Sequence, residues 1–329
     1  MSKKTTQKET VTLPKKVYNF CSKKKLILGV VIAVLVVFVA GAIIRGIHLA
    51  IEFKGGTLIT YTYQGDINTN DVASNVKDIV GSSVVVRKGE SLDSGGKQIT
   101  ISFTSEEGLT ADRQTELTST LREKFPDNAL EIYDSNDVSP TSGHEFLLKC
   151  LIAVLFAALI VIIYIAIRFR NIGGWSAGVC SIFALCLDLL VAFTTTVVCG
   201  FSIDSNIVAV FLTILGYSIN NTIVIYDRIR ENRKLMPKAS LNELINVSCT
   251  QSLTRSIRTS VTTIGTMLIV TIVVLVTGYD SLLSFSVPLM MGLISGTFSS
   301  LFVAPVTWSW WKNKKAKKTK SSKESKSSK

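Results

Sequence analysis

The sequence predicts a polytopic α-helical membrane protein, with six transmembrane helices and one external α+β domain of ferredoxin-like type. Three observations carry that prediction. The apolar residues are gathered into six runs rather than spread through the 329 positions. Basic residues recur at every second end of those runs. A polar segment of about 100 residues, long enough for one small domain, separates the first run from the other five.

The runs are Leu26–Ile44, Leu147–Ile167, Trp175–Val198, Ser205–Tyr226, Thr259–Thr277 and Leu282–Trp308. Each is close to the roughly 20 residues that cross a bilayer as helix. The first run carries Ala40-Gly41-Ala42, a small-x-small pattern that also suits a cleaved signal peptide. Its apolar stretch of about 19 residues exceeds the usual 7–15 of such a signal, which favours an uncleaved anchor.

Charge orients the spans. Lys15, Lys16, Lys23, Lys24 and Lys25 precede the first, and Arg168 and Arg170 follow the second. Arg228, Arg230, Arg233, Lys234 and Lys238 follow the fourth, and a lysine tail follows the sixth. The positive-inside rule therefore puts both termini in the cytoplasm of a multi-pass protein of the cell membrane. The segment from Gly46 to Glu145 then lies outside, with 16 acidic against 8 basic residues. The net charge of +12 is thus a topology signal. With no aromatic-interleaved basic patch it does not indicate nucleic-acid binding. The division expected along the chain is a basic cytoplasmic tail 1–25, a first helix 26–44, an external domain 45–145, a five-helix membrane domain 146–308, and a tail 309–329. That last tail is lysine-dense and lacks apolar anchors, so it is expected to be disordered, a solvated topology signal or a holder of anionic lipid or of an acidic cytoplasmic partner.

Within the external segment, LITYTY (Leu58–Tyr63) alternates as a strand does, and NTNDVASNVKDIV reads as a capped helix. SVVVR (Ser83–Arg87) and QITISF (Gln98–Phe103) are strands around a GESLDSGG turn. Thr110 caps a second helix and ALEIY (Ala129–Tyr133) ends the unit. The order β-α-β-β-α-β is that of a split βαβ domain. Ser139-Pro140-Thr141-Ser142-Gly143 is a hinge candidate.

Enzyme readings fail on their chemistry. GESLDSGGK misses the second glycine and the hydroxyl residue of a phosphate loop. GYSIN misses the last glycine of a nucleophile elbow, and no histidine lies within a span to activate Ser218. His48 and His144 flank the external domain without metal-ligand company, and the six cysteines lie in or beside spans. No catalytic residue, metal or cofactor is expected.

Polar residues inside the spans are the functional signal, because an ionisable group in hydrocarbon costs about 2.5–3.5 kcal/mol on insertion scales. Asp188 sits mid-span in ALCLDLLVAF. A structural bond to a neighbouring helix and an ion or proton role are both open to it. On the fourth helix Thr213, Tyr217, Asn221, Val224 and Arg228 share a face, with Ser218 and Asn220 beside it. On the fifth, Arg255, Thr259, Thr262 and Thr266 do likewise. Lipid cannot satisfy such stripes, so they are expected to face each other as a polar lane. Hydrogen-bonded helix glue is the plainer alternative. Gly292, Gly296 and Ser300 form a small-residue ridge for close helix packing.

At these residues the chain resembles the SecF branch of the SecD/SecF family of protein-export subunits. FKGG at Phe53–Gly56 resembles the family motif at the start of the external domain, with Gly55 and Gly56 in place and Glu52 where the family has Asp. LTILGYSINNTIVIYDRIRENR, LTRSIRTSVTT and MGLISGTFSSLFVAP resemble its fourth, fifth and sixth helices. The resemblance implies a half-transporter of the RND type that pairs with a SecD-like subunit at the SecYEG channel, with YajC as a further partner. Unfolded secreted polypeptides would be its clients, membrane lipids its surroundings, and the proton motive force its drive. It also implies a proton path through a helix-four carboxylate and a helix-five arginine. The arginine falls on Arg255. The carboxylate falls on Asn221, where this chain reads GYSINN for the family's GYSIND. An amide does not exchange a proton near neutral pH. The load then passes to the partner's acid, to Asp188 or Asp227, or the coupling ion differs. Rival readings are an RND-type exporter of small molecules or lipids, against which the small external domain argues, and an uncoupled assembly factor of the translocon.

Overall fold

The structure is a computed structural model that describes residues 16–22, 24–81, 84–90, 96–103, 110–277 and 280–327. Six of its helices are long and apolar enough to cross a membrane. The first is α1 (Lys24–Arg45). A four-residue helix α2 (Ile51–Lys54) then leads into the external domain, which runs β1 (Gly56–Tyr63), α3 (Thr69–Val80), β2 (Val84–Glu90), β3 (Lys97–Phe103), α4 (Ala111–Lys124) and β4 (Glu131–Val138). The remaining helices are α5 (Pro140–Arg168), α6 (Gly174–Cys199), α7 (Ser205–Leu235), α8 (Leu241–Thr277) and α9 (Asp280–Phe298). A π turn at Ser299–Val303 joins α9 to α10 (Ala304–Ser327).

The external sheet has the order β2-β3-β1-β4, every neighbour antiparallel, which is the split βαβ arrangement. Ile59 pairs with Ile101 and Val84 with Phe103 in register. Alternation along β1 and β3 sends Ile59, Tyr61, Ile99 and Ile101 to one face, where Val72 and Val76 of α3 and Leu117 and Leu121 of α4 cover them. Asn68 caps α3 by accepting from the amide of Asn70, and Gly81 ends it in the left-handed region. Thr110 precedes α4 as its cap residue without a side-chain cap bond. The turn centre at 91–95 lies outside the described residues, but Glu90 faces Lys97 across the hairpin.

Several expected ends differ from the fold: the last strand is Glu131–Val138 rather than Ala129–Tyr133, and the hinge candidate at 139–143 is the cap and first turn of α5. The fifth helix starts at Leu241, well before Thr259, because LNELINVSCTQSLTRS holds no proline or glycine to stop it on leaving the apolar layer. The tail from 309 continues α10 as helix to Ser327 for the same reason, where disorder is expected from its composition. At the other end of the chain, residues 16–22 are docked. Asn246 Oδ1 accepts from the amides of Phe20 and Cys21, and buried Phe20 meets Phe302 at a ring separation of 5.1 Å. Residues 16–22 and the 309–313 stretch of α10 thus meet on one side of the bundle, beside the start of α8, where Asn242 Oδ1 accepts from Ser309 Oγ and Asn313 Nδ2.

Candidate functional site: a buried carboxylate in a helix seam

Asp188 is fully buried at the middle of α6. Three hydroxyls converge on it. Ser218 of α7 and Ser299 of the π turn each donate to Oδ2 at 2.7 Å, and Ser295 of α9 donates to Oδ1 at 2.7 Å. No cation lies within ion-pair distance of it among the described residues. The donors supply what water would give a carboxylate, at distances typical of charge-assisted O–H···O bonds. Close helix approach makes this possible. A Cβ on Gly292 would lie 2.1 Å from Ile214 Cδ1, and one on Gly296 would lie 3.3 Å from Ser218 Oγ and 3.6 Å from Asp188 Oδ2. Those glycines bring α9 against α6 and α7. The π turn adds a residue to the helix, as such turns do at functional positions.

The polar seam continues between α7 and α8. Tyr217 Oη and Ser260 Oγ are 3.0 Å apart, and Thr297 Oγ1 of α9 donates to the same serine at 2.8 Å. Further along, Asn232 Nδ2 donates to Ser248 Oγ and to Gln251 Oε1, which also accepts from Arg228 Nε. Asn221 lies four residues after Tyr217 and Ser256 four before Ser260, so the antiparallel pairing sets them at one level. Both are buried, and Asn221 Nδ2 and Ser256 Oγ have no hydrogen-bond partner among the described residues. A buried amide without a partner is costly, so this level of the seam has unspent donor capacity for water or an ion's hydration shell.

Of the residues expected to form the lane, the structure joins Ser218 directly to Asp188 and sets Tyr217 and Asn221 along the same seam. Asn220 is exposed on the outer face of α7. The expected α8 stripe is displaced: Arg255, Thr259 and Thr262 are exposed, and the Thr262 hydroxyl bonds carbonyls of its own helix. The residues that face α7 are Ser248, Ser252, Ser256 and Ser260, all buried. One residue step turns about 100° round a helix, enough to move Arg255 off the seam that Ser256 occupies. Asp227 is also outside it, in ion pairs with Arg230 at 2.8 Å and Arg168 at 3.4 Å. The serine stripe and the Ser295/Ser299 pair were readable as i, i+4 spacings. Threonines and arginine had outweighed them as polar signals.

At the other end of α7 the Phe53–Gly56 motif clamps the external domain to the bundle. Gly55 has φ +84° and Gly56 φ +144°, and a Cβ on Gly55 would lie 2.6 Å from Pro140, on Gly56 2.3 Å from the Phe103 carbonyl oxygen. Phe53 stacks on Phe146 of α5 at 5.6 Å. Glu52 Oε2 accepts from the Ser205 amide at 2.9 Å, and Asp204 caps α7 through the Asn206 amide. Arg87 of β2 reaches Asp204 at 3.6 Å, across a cavity of about 120 Å³ under the open face of the sheet. Burial raises the Asp204 pKa above its ordinary value, with Arg87 pulling the other way.

Comparison with known proteins decides the family. Residues 117–314 match the family described as Protein export membrane protein SecD/SecF, C-terminal, and residues 42–67 match the SecD/SecF GG Motif.

The chain belongs to the SecD/SecF family.

Within it, the chain is similar to the protein translocase subunit SecF of Alicyclobacillus acidocaldarius, 34% identical over 84% of this chain and 88% of that one. It is 31% identical to the SecF of Endomicrobium trichonymphae, over 80% and 82% respectively. Protein translocase subunit SecDF of Bacillus subtilis is 31% identical over 91% of this chain, which spans 38% of that protein. Crystal structures of SecDF align at 26% identity. The translocon-associated membrane protein from Thermus thermophilus gives a TM-score of 0.73, with 91% of this chain covering 39% of it. The super-membrane-facing form of SecDF gives 0.66, with 95% covering 41%. This SecF-family chain is therefore a multi-pass membrane subunit of protein translocase, acting in protein export. It spans about two fifths of the SecDF chains it matches.

Proposed function

We propose that this chain is one half of a two-chain, ion-driven unit that promotes the forward movement and release of secreted polypeptides, and that Asp188 carries the ion. The observation that bears most weight is the fully buried Asp188 held by Ser218, Ser295 and Ser299 from three other elements. Asn221 cannot titrate, and Asp227 is committed to Arg168 and Arg230 at the basic end of α7. Of the candidate acids, only Asp188 sits where α6, α7 and α9 meet. A change in its occupancy alters how many donors it needs and hence how those elements pack, which gives the ion a mechanical consequence.

The second half is a SecD-like chain. Asn220, Arg255, Thr259, Thr262 and Thr266 are exposed on α7 and α8; the hydroxyls of Thr262 and Thr266 bond their own helix, but lipid cannot satisfy the Asn220 amide or the Arg255 guanidinium. A protein partner covers these positions, and the length of the SecDF relatives accounts for a second six-helix set. In this reading the termini are cytoplasmic, following the basic ends of the helices. The external domain meets polypeptide emerging from a SecYEG-type channel, with YajC as an accessory. The clamp of α2 on α5 and the Arg87–Asp204 contact carry motion between bundle and domain.

The test is translocation of a secreted protein into inverted vesicles, with and without an ion gradient, combined with crosslinking of Thr262→Cys to the SecD-like chain. Asp188→Asn is expected to abolish the gradient-dependent fraction while the crosslink persists. Full gradient dependence in that variant would remove Asp188 from the mechanism, and no crosslink from any of these exposed positions would remove the partner.

A further inference from the structure

On the side of the bundle where α1 begins, α1 stands off from α6 and α10 and leaves a side-opening groove of about 290 Å³. Its walls are Ile27, Leu28 and Val31 of α1, Phe183 of α6 and Val306 and Thr307 of α10. From Lys24 to Val31 it runs seven residues of helix, about 10 Å into the apolar layer. Lys24 and Trp310 stand at its mouth. Trp310 is also a wall of a second hollow of about 330 Å³, shared with Trp311, Lys314 and Lys315. The Lys314 ammonium lies 5.0 Å from the Trp310 ring centroid, so that lysine is held beside the groove mouth. No acidic residue lines either hollow, and neither Lys24 nor Lys314 has an ion-pair partner among the described residues.

We propose that this corner is a binding site for an anionic phospholipid, with one acyl chain in the α1/α6/α10 groove and the phosphate between Lys24 and Lys314. The two halves of the site match the two halves of such a molecule: a slot walled by aliphatic and aromatic side chains, with Thr307 its one hydroxyl, opens sideways to the bilayer and ends at Lys24 and the rim of the indole that holds Lys314. A soluble anion has no use for the slot, and a zwitterionic lipid gains little from two lysines. A basic residue at an anionic membrane surface is worth roughly a fivefold preference. Two held at one mouth give roughly 25-fold at most and, with screening, about tenfold. The site lies away from the Asp188 seam and fastens α1, which packs on the rest of the bundle chiefly through α6.

The test uses the full chain reconstituted in phosphatidylcholine vesicles, carrying Trp175→Phe and Trp311→Phe so that exposed Trp310 reports quenching while buried Trp308 does not. Phosphatidylglycerol or phosphatidylcholine brominated in the acyl chain is titrated in. Brominated phosphatidylglycerol is expected to quench Trp310 with about tenfold higher relative affinity. Lys314→Gln should lower that preference several-fold, and Lys24→Gln with Lys314→Gln should bring it near unity. A chain ending at Lys315 should keep the preference, which separates this site from general attraction by the lysine tail. Equal quenching by the two lipids overturns the proposal. So does a preference that survives the double substitution or disappears with the tail.

Discussion

Ser299→Ala is the substitution that best probes the carboxylate seam. The serine hydroxyl is one of two donors to Asp188 Oδ2, at 2.7 Å, on a carboxylate with no exposed surface. A hydrogen bond to a charged group contributes about 1.5–3 kcal/mol net, against about 0.5–1.5 kcal/mol for a neutral pair. No water can replace the lost donor without opening the packing of α6 against α9, so the upper part of that range applies, roughly 2–3 kcal/mol. Reversible unfolding in mixed detergent micelles measures it. The same serine substitution in an Asp188→Asn background should cost only about 1 kcal/mol, which leaves a coupling of about 1–2 kcal/mol in the double-mutant cycle. Ser119→Ala, on the exposed face of α4, is the control and should cost close to nothing. Additivity of Ser299→Ala and Asp188→Asn within about 0.5 kcal/mol would refute the reasoning, because the bond would then contribute nothing specific to the charge.

Gly292→Ala should destabilise by about 1–3 kcal/mol through overpacking, and Ile214→Val should recover much of it by deleting the Cδ1 atom that a Cβ would meet at 2.1 Å; the cycle is read by the same unfolding assay. A cysteine pair at Tyr217 and Ser260 should crosslink with a short reagent, and a pair at Tyr217 and Thr262 should lag well behind it, reversing the order that the threonine stripe suggests. Asn221→Asp should assemble normally, since Nδ2 gives up no partner, whereas Asn221→Leu should impair export, read by translocation into vesicles. Asp204→Asn keeps the α7 cap and removes a buried charge. The folded-state pKa of Asp204 is raised, so its ionisation costs stability above that pKa and the cost fades as pH falls through it. The variant should therefore be as stable as the parent or more so at pH 7, with the difference closing toward pH 4; a parent that loses stability relative to the variant on acidification contradicts this.

The six candidate spans were legible because hydrocarbon admits few alternatives: a long apolar run must be helix. The external domain was legible through alternation in LITYTY and QITISF and the capping residue Asn68, each a local signal. Asp188 stood out as well, a lone carboxylate among aliphatics open to a bond with a neighbouring helix or to an ion role, and serine bonds from neighbouring helices are what it makes. Its partners were not legible. Which face of α8 meets α7 depends on a rotation of about 100°, and threonine stripes satisfied by their own carbonyls look like serine stripes that bridge helices. Helix ends failed for a related reason. Composition marks where the apolar layer ends, but only a breaker residue marks where the helix does, and neither the start of α8 nor the tail after Trp308 holds one.

Ion movement itself shows whether Asp188 carries the coupling ion. The chain and its SecD-like partner would be co-reconstituted in vesicles holding a pH-sensitive dye, with a second set holding a sodium-sensitive dye, and an ion gradient imposed. The account predicts flux of one of these ions in the parent complex, its loss in Asp188→Asn, and its survival in Asp227→Asn. Undiminished flux in Asp188→Asn, with assembly intact, would contradict it.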